Sequence, residues 1–268
     1  APDSFANAKY AAMRERSVGL GVMGFHSFLQ LKGIPMESVM AKVWNRRMFS
    51  HIKRGVDDAS KKLAHERGPC PDAADYGVME RFSNKMAIAP TASISIITGG
   101  ASPGIEPNAA NAYNHKTLSG SFAVKNPYLK KVLASYQQDT DEVWSSIFTN
   151  EGSIMHLDFL SDMEKDVFKT AFEIDQRWLI EHAADRTPFV CQAQSLNVFL
   201  PADVHKKVLH QVHFDAWKKG VKSLYYCRSR SIQRAESAAS WDRAKKKADK
   251  DGGSNGEPGK YEECLACQ

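Results

Sequence analysis

The amino-acid sequence predicts an α/β fold, and the main indication is a strand–helix–strand unit late in the chain. Residues 195–200 (SLNVFL) have the composition of a short strand, which Pro201 ends. Apolar residues then recur at intervals of four along residues 204–219, which predicts a helix ended by Gly220. Residues 221–226 (VKSLYY) again have strand composition. Because parallel strands need a helical crossover of this kind, we expect these two strands to be parallel in one sheet.

Composition excludes several classes of protein. The 268 residues are 43% hydrophobic and 25% charged, enough for a large core without disulfide or metal staples. The net charge of +5 comes from interspersed residues, so we expect no nucleic-acid partner. No apolar run is long enough for a membrane helix and no secretory signal is visible, so we expect a cytoplasmic protein without a membrane partner. The five cysteines are then expected to be free thiols, or redox or metal groups, rather than structural bridges.

A glycine motif near the start of the chain matches a dinucleotide-binding pattern. Gly19, Gly21 and Gly24 form GxGxxG, which binds a pyrophosphate only when a buried strand comes directly before it. The charged residues 14–16 precede the motif here, and no acidic strand end follows about 20 residues further on. Close backbone packing explains these glycines better than a nucleotide cofactor does.

Two further segments are predicted to be helical. Apolar residues recur at steps of three and four along residues 37–67, with Ser38 as the N-cap and a Gly-Pro pair that ends the helix. A second helical block covers residues 161–185, in one or two pieces. Ser161 and Glu164 have the spacing of a capping box at its start.

A short apolar stretch that ends at Pro90 is followed by a hydroxyl-rich segment, residues 91–95 (TASIS). If a helix begins here, its free N–H groups and hydroxyls form a site for a phosphate. A capped helix or a β-strand without any ligand is the alternative, because the isoleucines of this segment favour strands.

Tyr225 and Tyr226 end the last predicted strand, where two consecutive rings would point to opposite faces and ordinary packing would explain them. Residues 228–268 have almost no aliphatic side chains and are predicted to be a flexible tail. The tail ends in a CxxC dithiol, Cys264 and Cys267, which is suited to thiol–disulfide exchange. Zinc would need four ligands, and no second Cys or His pair lies nearby in sequence.

Three histidines of the late helix could form a metal-binding face: His205, His210 and His213. No cysteine or carboxylate stands at ligand spacing from them, so we expect surface or packing histidines and no metal site.

Together these segments resemble the C-terminal part of the large (alpha) subunit of class I ribonucleotide reductases, of the bacterial or phage type. The matching stretches are RERSVGLGVMGF (14–25), APTASISI (89–96), GIEP (104–107), KNPYLKKVL (125–133), QSLNVFL (194–200), GVKSLYY (220–226) and CLAC (264–267). The resemblance implies that residues 1–227 are the C-terminal portion of a ten-stranded α/β barrel with added helices. Residues 228–268 are then a flexible redox tail.

The resemblance also implies roles for particular residues in the reduction of ribonucleoside diphosphates. A substrate diphosphate loop is implied for Pro90, Thr91, Ala92, Ser93 and Ile94. Tyr225 and Tyr226 correspond to a pair that relays a radical, which needs stacked rings and therefore a strand that ends or twists there. Cys264 and Cys267 correspond to the dithiol that reduces the active-site disulfide after each turnover.

One departure from the family pattern means that the chain is not expected to be active alone. The catalytic Asn-x-Cys-x-Glu loop is absent from the sequence, so the chain is expected to be a fragment or one half of a split subunit. Its expected partners are the N-terminal part of the large subunit, the small (beta) subunit with its metal-tyrosyl radical, and thioredoxin or glutaredoxin. No cofactor is expected on this chain itself. The alternatives are a non-catalytic fragment that docks the small subunit through residues 204–219, and a stand-alone dithiol oxidoreductase.

Overall fold

The computed structural model describes residues 2–117 and 120–230, so the predicted redox dithiol lies outside the described residues. The helices are α1 (Ala6–Glu15), α2 (Phe25–Leu31), α3 (Val39–Arg67), α4 (Pro71–Asp75), α5 (Ala92–Ile97), α6 (Pro127–Ser135), α7 (Asp141–Thr149), α8 (Asp162–Val167), α9 (Gln176–Arg186) and α10 (Lys206–Lys218). The strands are β1 (Ala112–Thr117), β2 (Gly120–Lys125), β3 (Val198–Pro201) and β4 (Cys227–Arg230). Within the described part, no helix has both the length and the apolar character needed to cross a membrane.

The strand–helix–strand unit predicted from the sequence is present. Strands β3 and β4 are parallel, with Val198 opposite Cys227, and α10 connects them. The strand bounds were wrong, because the regular strand begins at Cys227 rather than within residues 221–226. The backbone N–H of Tyr226 donates to the Asn197 side chain instead of a backbone carbonyl of the neighbouring strand, so regular strand pairing starts only after Tyr226.

The parallel pairing extends beyond these two strands to earlier segments of the chain. The N–H of Leu20 donates to Lys85 O, and residues 85–88 exchange further backbone bonds with residues 192–195. Isolated parallel bridges join Leu20 to Met86 and Ile88 to Gln194. Four extended segments therefore lie side by side in chain order, with helical connections between them. They are residues 18–21, residues 85–88, residues 192–201 and β4. This confirms the α/β class, since parallel strands in chain order are the arrangement of α/β barrels.

The two longer helical predictions are confirmed. Helix α3 begins after Ser38, whose hydroxyl accepts the N–H of Ala41, and it ends at Gly68. The later block forms two separate helices, α8 and α9. The predicted capping box of Ser161 and Glu164 is complete, with each side chain bonded to the backbone N–H of the other residue.

Two clusters of buried side chains form the core. The larger cluster lies between the parallel segments and helices α2, α3, α9 and α10, and it includes Phe25, Phe49, Ile88, Leu179 and Val198. The smaller cluster packs the β1–β2 hairpin against α6, α7 and α8, with Leu129, Leu133, Trp144, Ile147 and Phe168 as members. The parallel segments that carry the candidate site therefore rest on the larger cluster.

Candidate functional site

The glycine motif serves close packing, as the sequence analysis expected. A Cβ atom on Gly21 would lie 2.5 Å from the carbonyl oxygen of Ala87, so only glycine allows this approach of two backbones. Gly24 has a φ of 81° and precedes α2, and its N–H donates to Ser102 O. The motif thus holds residues 18–24 against the segment that leads into the candidate phosphate loop.

The candidate phosphate loop, residues 90–94, is the start of a helix. Helix α5 begins directly after Thr91, whose backbone has a φ of 52°. The Thr91 hydroxyl accepts the N–H of Gly104 at 2.8 Å, which fixes the loop to the following turn. Ser93 and Ile94 are exposed, while Pro90 and Ala92 are half-buried. Because the first N–H groups of a helix have no partner within it, the loop presents donors to a ligand.

The two tyrosines lie against each other. The ring centroids of Tyr225 and Tyr226 are 4.0 Å apart, with the ring planes at 49°. The closeness of the rings confirms the expected interruption of the strand, because rings on a regular strand would point to opposite faces. The expected stacking is not found, since the ring planes are tilted. The pair stands directly before β4, so the predicted position at the carboxyl end of a strand was wrong. Backbone pairing begins only at Tyr225, whose N–H donates to Leu196 O.

Three polar residues without a role predicted from the sequence surround Tyr226: Asn197, Glu106 and Arg228. The side-chain oxygen of Asn197 accepts the N–H of Tyr226 at 2.9 Å, and Asn197 in turn donates to the buried carboxylate of Glu106. The Arg228 guanidinium lies 5.7 Å from the centre of the Tyr226 ring. For Glu106 and Asn197, the signal available in the sequence was a polar residue inside the stretches GIEP and SLNVFL.

The histidines of α10 have roles in the helix itself. His205 is the N-cap, where its Nδ1 accepts the N–H of Lys207, and His213 Nδ1 lies 2.8 Å from Leu209 O. Among residues 2–117 and 120–230, no group of three or more His, Cys, Asp or Glu side chains is arranged to hold a metal ion. Cys70, Cys191 and Cys227 are free thiols.

Parallel segments in chain order, separated by helices, define an α/β protein, and the helix-start loop and the tyrosine pair are both tied to its sheet. The sequence profile of the family "Ribonucleotide reductase, barrel domain" matches residues 3–75 and 72–227. The chain belongs to this family.

Individual relatives agree with the family assignment. The chain is 48% identical to the "Ribonucleoside-diphosphate reductase large subunit" of Invertebrate iridescent virus 6, over 90% of this chain and 25% of that protein. It is 42% identical to the "Putative ribonucleoside-diphosphate reductase large subunit" of Frog virus 3, over 98% of this chain and 44% of that protein. The structure of an Actinobacillus ureae class Id ribonucleotide reductase alpha subunit superposes with a TM-score of 0.77 at 37% identity.

That superposition covers 85% of this chain and 41% of the bacterial subunit, so the chain spans less than half the length of these relatives. The resemblance found in the sequence is thereby confirmed. The bacterial or phage type stays a prediction, since the two viral relatives come from invertebrate and frog viruses.

Proposed function

We propose that the chain acts as part of a ribonucleotide reductase large subunit and takes part in reducing ribonucleoside diphosphates to deoxyribonucleoside diphosphates. The observation that carries this proposal is the contact of two tyrosine rings, 4.0 Å apart, on the sheet that also carries the 90–94 loop. The family membership and the names of the relatives support the same activity. A cytoplasmic location belongs to the same proposal.

The 90–94 loop is proposed to hold the substrate diphosphate. Backbone N–H groups at Ala92, Ser93 and Ile94, together with the exposed hydroxyl of Ser93, are suited to the non-bridging oxygens of a diphosphate. The Thr91–Gly104 bond supports this role because it fixes the loop before a ligand arrives. A fixed loop loses less conformational entropy on binding.

Tyr225 and Tyr226 are proposed to relay a radical from the small subunit toward the substrate. The metal-tyrosyl radical then belongs to the small subunit, and this chain contributes only side chains that pass an electron and a proton. Contact between the two rings supports this role, because a relay over adjacent phenols needs them close together. Tyr225 is 50% exposed, which leaves one ring accessible to a partner.

Cys264 and Cys267 are proposed to restore the active site after turnover. Reduction of one ribonucleotide takes two electrons from a dithiol, which becomes a disulfide, and releases water. The terminal dithiol would pass its two electrons to that disulfide by exchange, and thioredoxin or glutaredoxin would then reduce the tail. The Asn-x-Cys-x-Glu loop would come from polypeptide beyond these 268 residues.

Reconstitution tests this proposal. The chain is mixed with polypeptide that supplies the rest of the large subunit, with the small subunit and with a dithiol donor. The mixture should reduce a ribonucleoside diphosphate, and the Tyr226→Phe variant should fall to background, because phenylalanine packs similarly but has no phenolic O–H to oxidise. Tyr76→Phe, at an 86% exposed tyrosine outside the site, is the matched control and should keep full activity. Normal rates with Tyr226→Phe would contradict the relay, and full activity of the chain alone would contradict the need for partners.

A docking role for α10 is the second candidate function. Phe214 and Trp217 lie 5.6 Å apart on this helix, and Trp217 is 73% exposed, as expected of a surface that a partner covers. If the chain binds the small subunit through α10 but has no affinity for a nucleoside diphosphate, this non-catalytic role replaces the first proposal.

A further inference from the structure

Glu106 is a buried carboxylate that none of the proposed roles uses. It is 6% exposed and lies at the end of the turn formed by residues 103–106. Its two oxygens are both bonded to one residue: Oε1 accepts the backbone N–H of Asn197 at 2.7 Å, and Oε2 accepts the Asn197 side-chain amide at 3.0 Å. Burying a carboxylate is costly unless hydrogen-bond donors satisfy it. The donors of Asn197 therefore stabilise Glu106 in its buried position.

The carboxylate fixes the orientation of the Asn197 amide. Because both oxygens of Glu106 are acceptors only, the NH₂ group of Asn197 must face Glu106. The amide oxygen of Asn197 therefore faces the opposite way, where it accepts the N–H of Tyr226 at 2.9 Å. Glu106 thus acts on Tyr226 through Asn197 and has no need to touch the tyrosine.

Two neighbouring residues, Leu196 and Asn197, accept the backbone N–H groups of the two tyrosines. Leu196 O accepts the N–H of Tyr225, and the neighbouring Asn197 side chain accepts the N–H of Tyr226. A bond to a side chain in place of the next carbonyl breaks the alternation of the strand. This break is what allows the two rings to lie on one side, 4.0 Å apart.

The turn that carries Glu106 also contacts the 90–94 loop. Two residues before Glu106, the N–H of Gly104 donates to the Thr91 hydroxyl. A Cβ atom on Gly104 would lie 2.9 Å from Ala89 O, so the turn packs directly on the backbone that leads into the loop. A continuous set of contacts therefore runs from Thr91 through the turn and Asn197 to Tyr226.

Electrostatics agree with this arrangement. Burial raises the pKa of Glu106 above its ordinary value, while the two Asn197 donors and the charge of Arg228 act in the opposite direction. Arg228 also lies over the Tyr226 ring, so one cation is shared between the carboxylate and the aromatic ring.

We propose that Glu106 and Asn197 are positioning residues for the tyrosine pair: Glu106 orients the Asn197 amide, and Asn197 sets the backbone of Tyr226 so that the two rings stay in contact. This inference rests on the proposed radical relay for its effect on activity. Its structural part, that Glu106 controls the hydrogen bond at Tyr226, stands independently of that relay.

The Glu106→Gln variant tests the structural part in the 268-residue chain. Glutamine has the same shape, but its NH₂ group would face the NH₂ group of Asn197, so the Asn197 amide must turn and present a donor to the N–H of Tyr226. Exchange of the Tyr226 amide with solvent should then accelerate by about tenfold, as expected for the loss of one hydrogen bond. Glu173→Gln is the matched control, since Glu173 also accepts a backbone N–H and a side-chain donor, both from Thr170. It should leave exchange at Tyr226 unchanged.

A reciprocal double variant distinguishes positioning from general damage to the fold. With Glu106→Gln and Asn197→Asp together, the glutamine amide can donate to the new carboxylate, whose second oxygen again accepts the N–H of Tyr226. Slow exchange at Tyr226 should return in the double variant. Unchanged exchange in Glu106→Gln, or failure of the double variant to restore it, would overturn the inference.

Activity in the reconstituted enzyme tests the effect on the relay. Glu106→Gln should lower kcat by about ten- to a hundredfold, the cost of misplacing a reacting group by roughly an ångström. KM for the nucleoside diphosphate should not change, and the double variant should recover kcat. Faster exchange at Tyr226 with a normal kcat would overturn the positioning role. An inactive wild-type mixture would instead count against the proposed function, and the exchange results would still decide the inference.

Discussion

His26 lies fully buried in the first turn of α2, and its surroundings keep the imidazole neutral. Its Nδ1 accepts the backbone N–H of Asn108 at 3.0 Å, which requires that this nitrogen carry no proton. Burial lowers the pKa of His26 to about 4, and burial likewise lowers the pKa of His182 to about 4. His182 contacts the ring of Phe25, a member of the larger core cluster, and His26 follows Phe25 in α2. The packing that supports the site therefore depends on neutral histidines.

This dependence predicts a loss of stability in mild acid. In the unfolded chain a histidine takes up a proton near pH 6.5, whereas folded His26 does so only near pH 4. The unfolded state therefore binds more protons between these values, and stability that is complete above about pH 6.5 declines as the pH falls toward about 4. Each buried histidine should account for about 3 kcal/mol of the free energy of unfolding lost over this pH range.

Urea unfolding at about pH 7.5 and about pH 4.5 measures this effect. The His26→Asn variant keeps an acceptor for the Asn108 N–H, and its loss of stability between the two pH values should be smaller by about 3 kcal/mol. His51→Asn, at an exposed position of α3, is the control for removing one imidazole. Equal pH dependence in wild type and His26→Asn would show that burial of His26 is not the cause.

At the scale of elements, the contact between residues 18–21 and residues 85–88 sets the position of the segment before the 90–94 loop. A Gly21→Ala variant would place its methyl group 2.5 Å from the carbonyl oxygen of Ala87, so one of the two backbones must move. We expect a loss of about 1–3 kcal/mol in the free energy of unfolding. Gly55→Ala in α3 is the matched control, because nothing lies within 4 Å of its Cβ position. It should raise stability by about 0.5–1 kcal/mol.

Chemical denaturation of the two variants gives the comparison. If Gly21→Ala were as stable as wild type, the close approach would be unnecessary and the packing explanation of the glycine motif would be wrong. If Gly55→Ala lost stability to the same extent, added bulk in general would be responsible.

Elements with strong local signals were predictable from the sequence. Helix α3 has a regular apolar repeat and an N-cap serine, and α8 has its capping box, so local energetics alone define them. Helices α6 and α7 were missed although cap signals exist, namely Asn126 before a proline and Thr140. Each has only nine residues, too short for a clear periodicity.

The remaining features depend on partners distant in sequence. The start of β4 was misplaced because the bond between the Asn197 side chain and the N–H of Tyr226 joins residues far apart in the chain. The helix start after Thr91 and the proximity of the tyrosines were expected only from the family resemblance, because the local pattern left a strand and ordinary packing open. The Glu106–Asn197 pair was not, because two polar residues in apolar stretches do not reveal that they face each other.

At the scale of the whole molecule, the parallel sheet has two open edges. Residues 18–21 form one edge and β4 forms the other, and in the described part of the chain no further strand pairs with either. Leu20 is 49% exposed at the first edge. Unpaired edges are templates for further strands, and the chain covers 41% of the bacterial alpha subunit. The proposed function therefore predicts that both edges receive strands from a polypeptide that completes the large subunit.

Hydrogen exchange on the chain, with and without the polypeptide that supplies the rest of the large subunit, tests this expectation. Amides of residues 18–21 and of β4 should exchange more slowly in the mixture, because new strand pairs protect them. Mass action should also raise the midpoint of thermal unfolding as the concentration of the partner polypeptide increases. The β1–β2 hairpin serves as the internal control, since its antiparallel pair is separate from the parallel sheet and its exchange should not change. Protection confined to the hairpin, or binding without protection at either edge, would mean that the rest of the subunit docks elsewhere and does not continue this sheet.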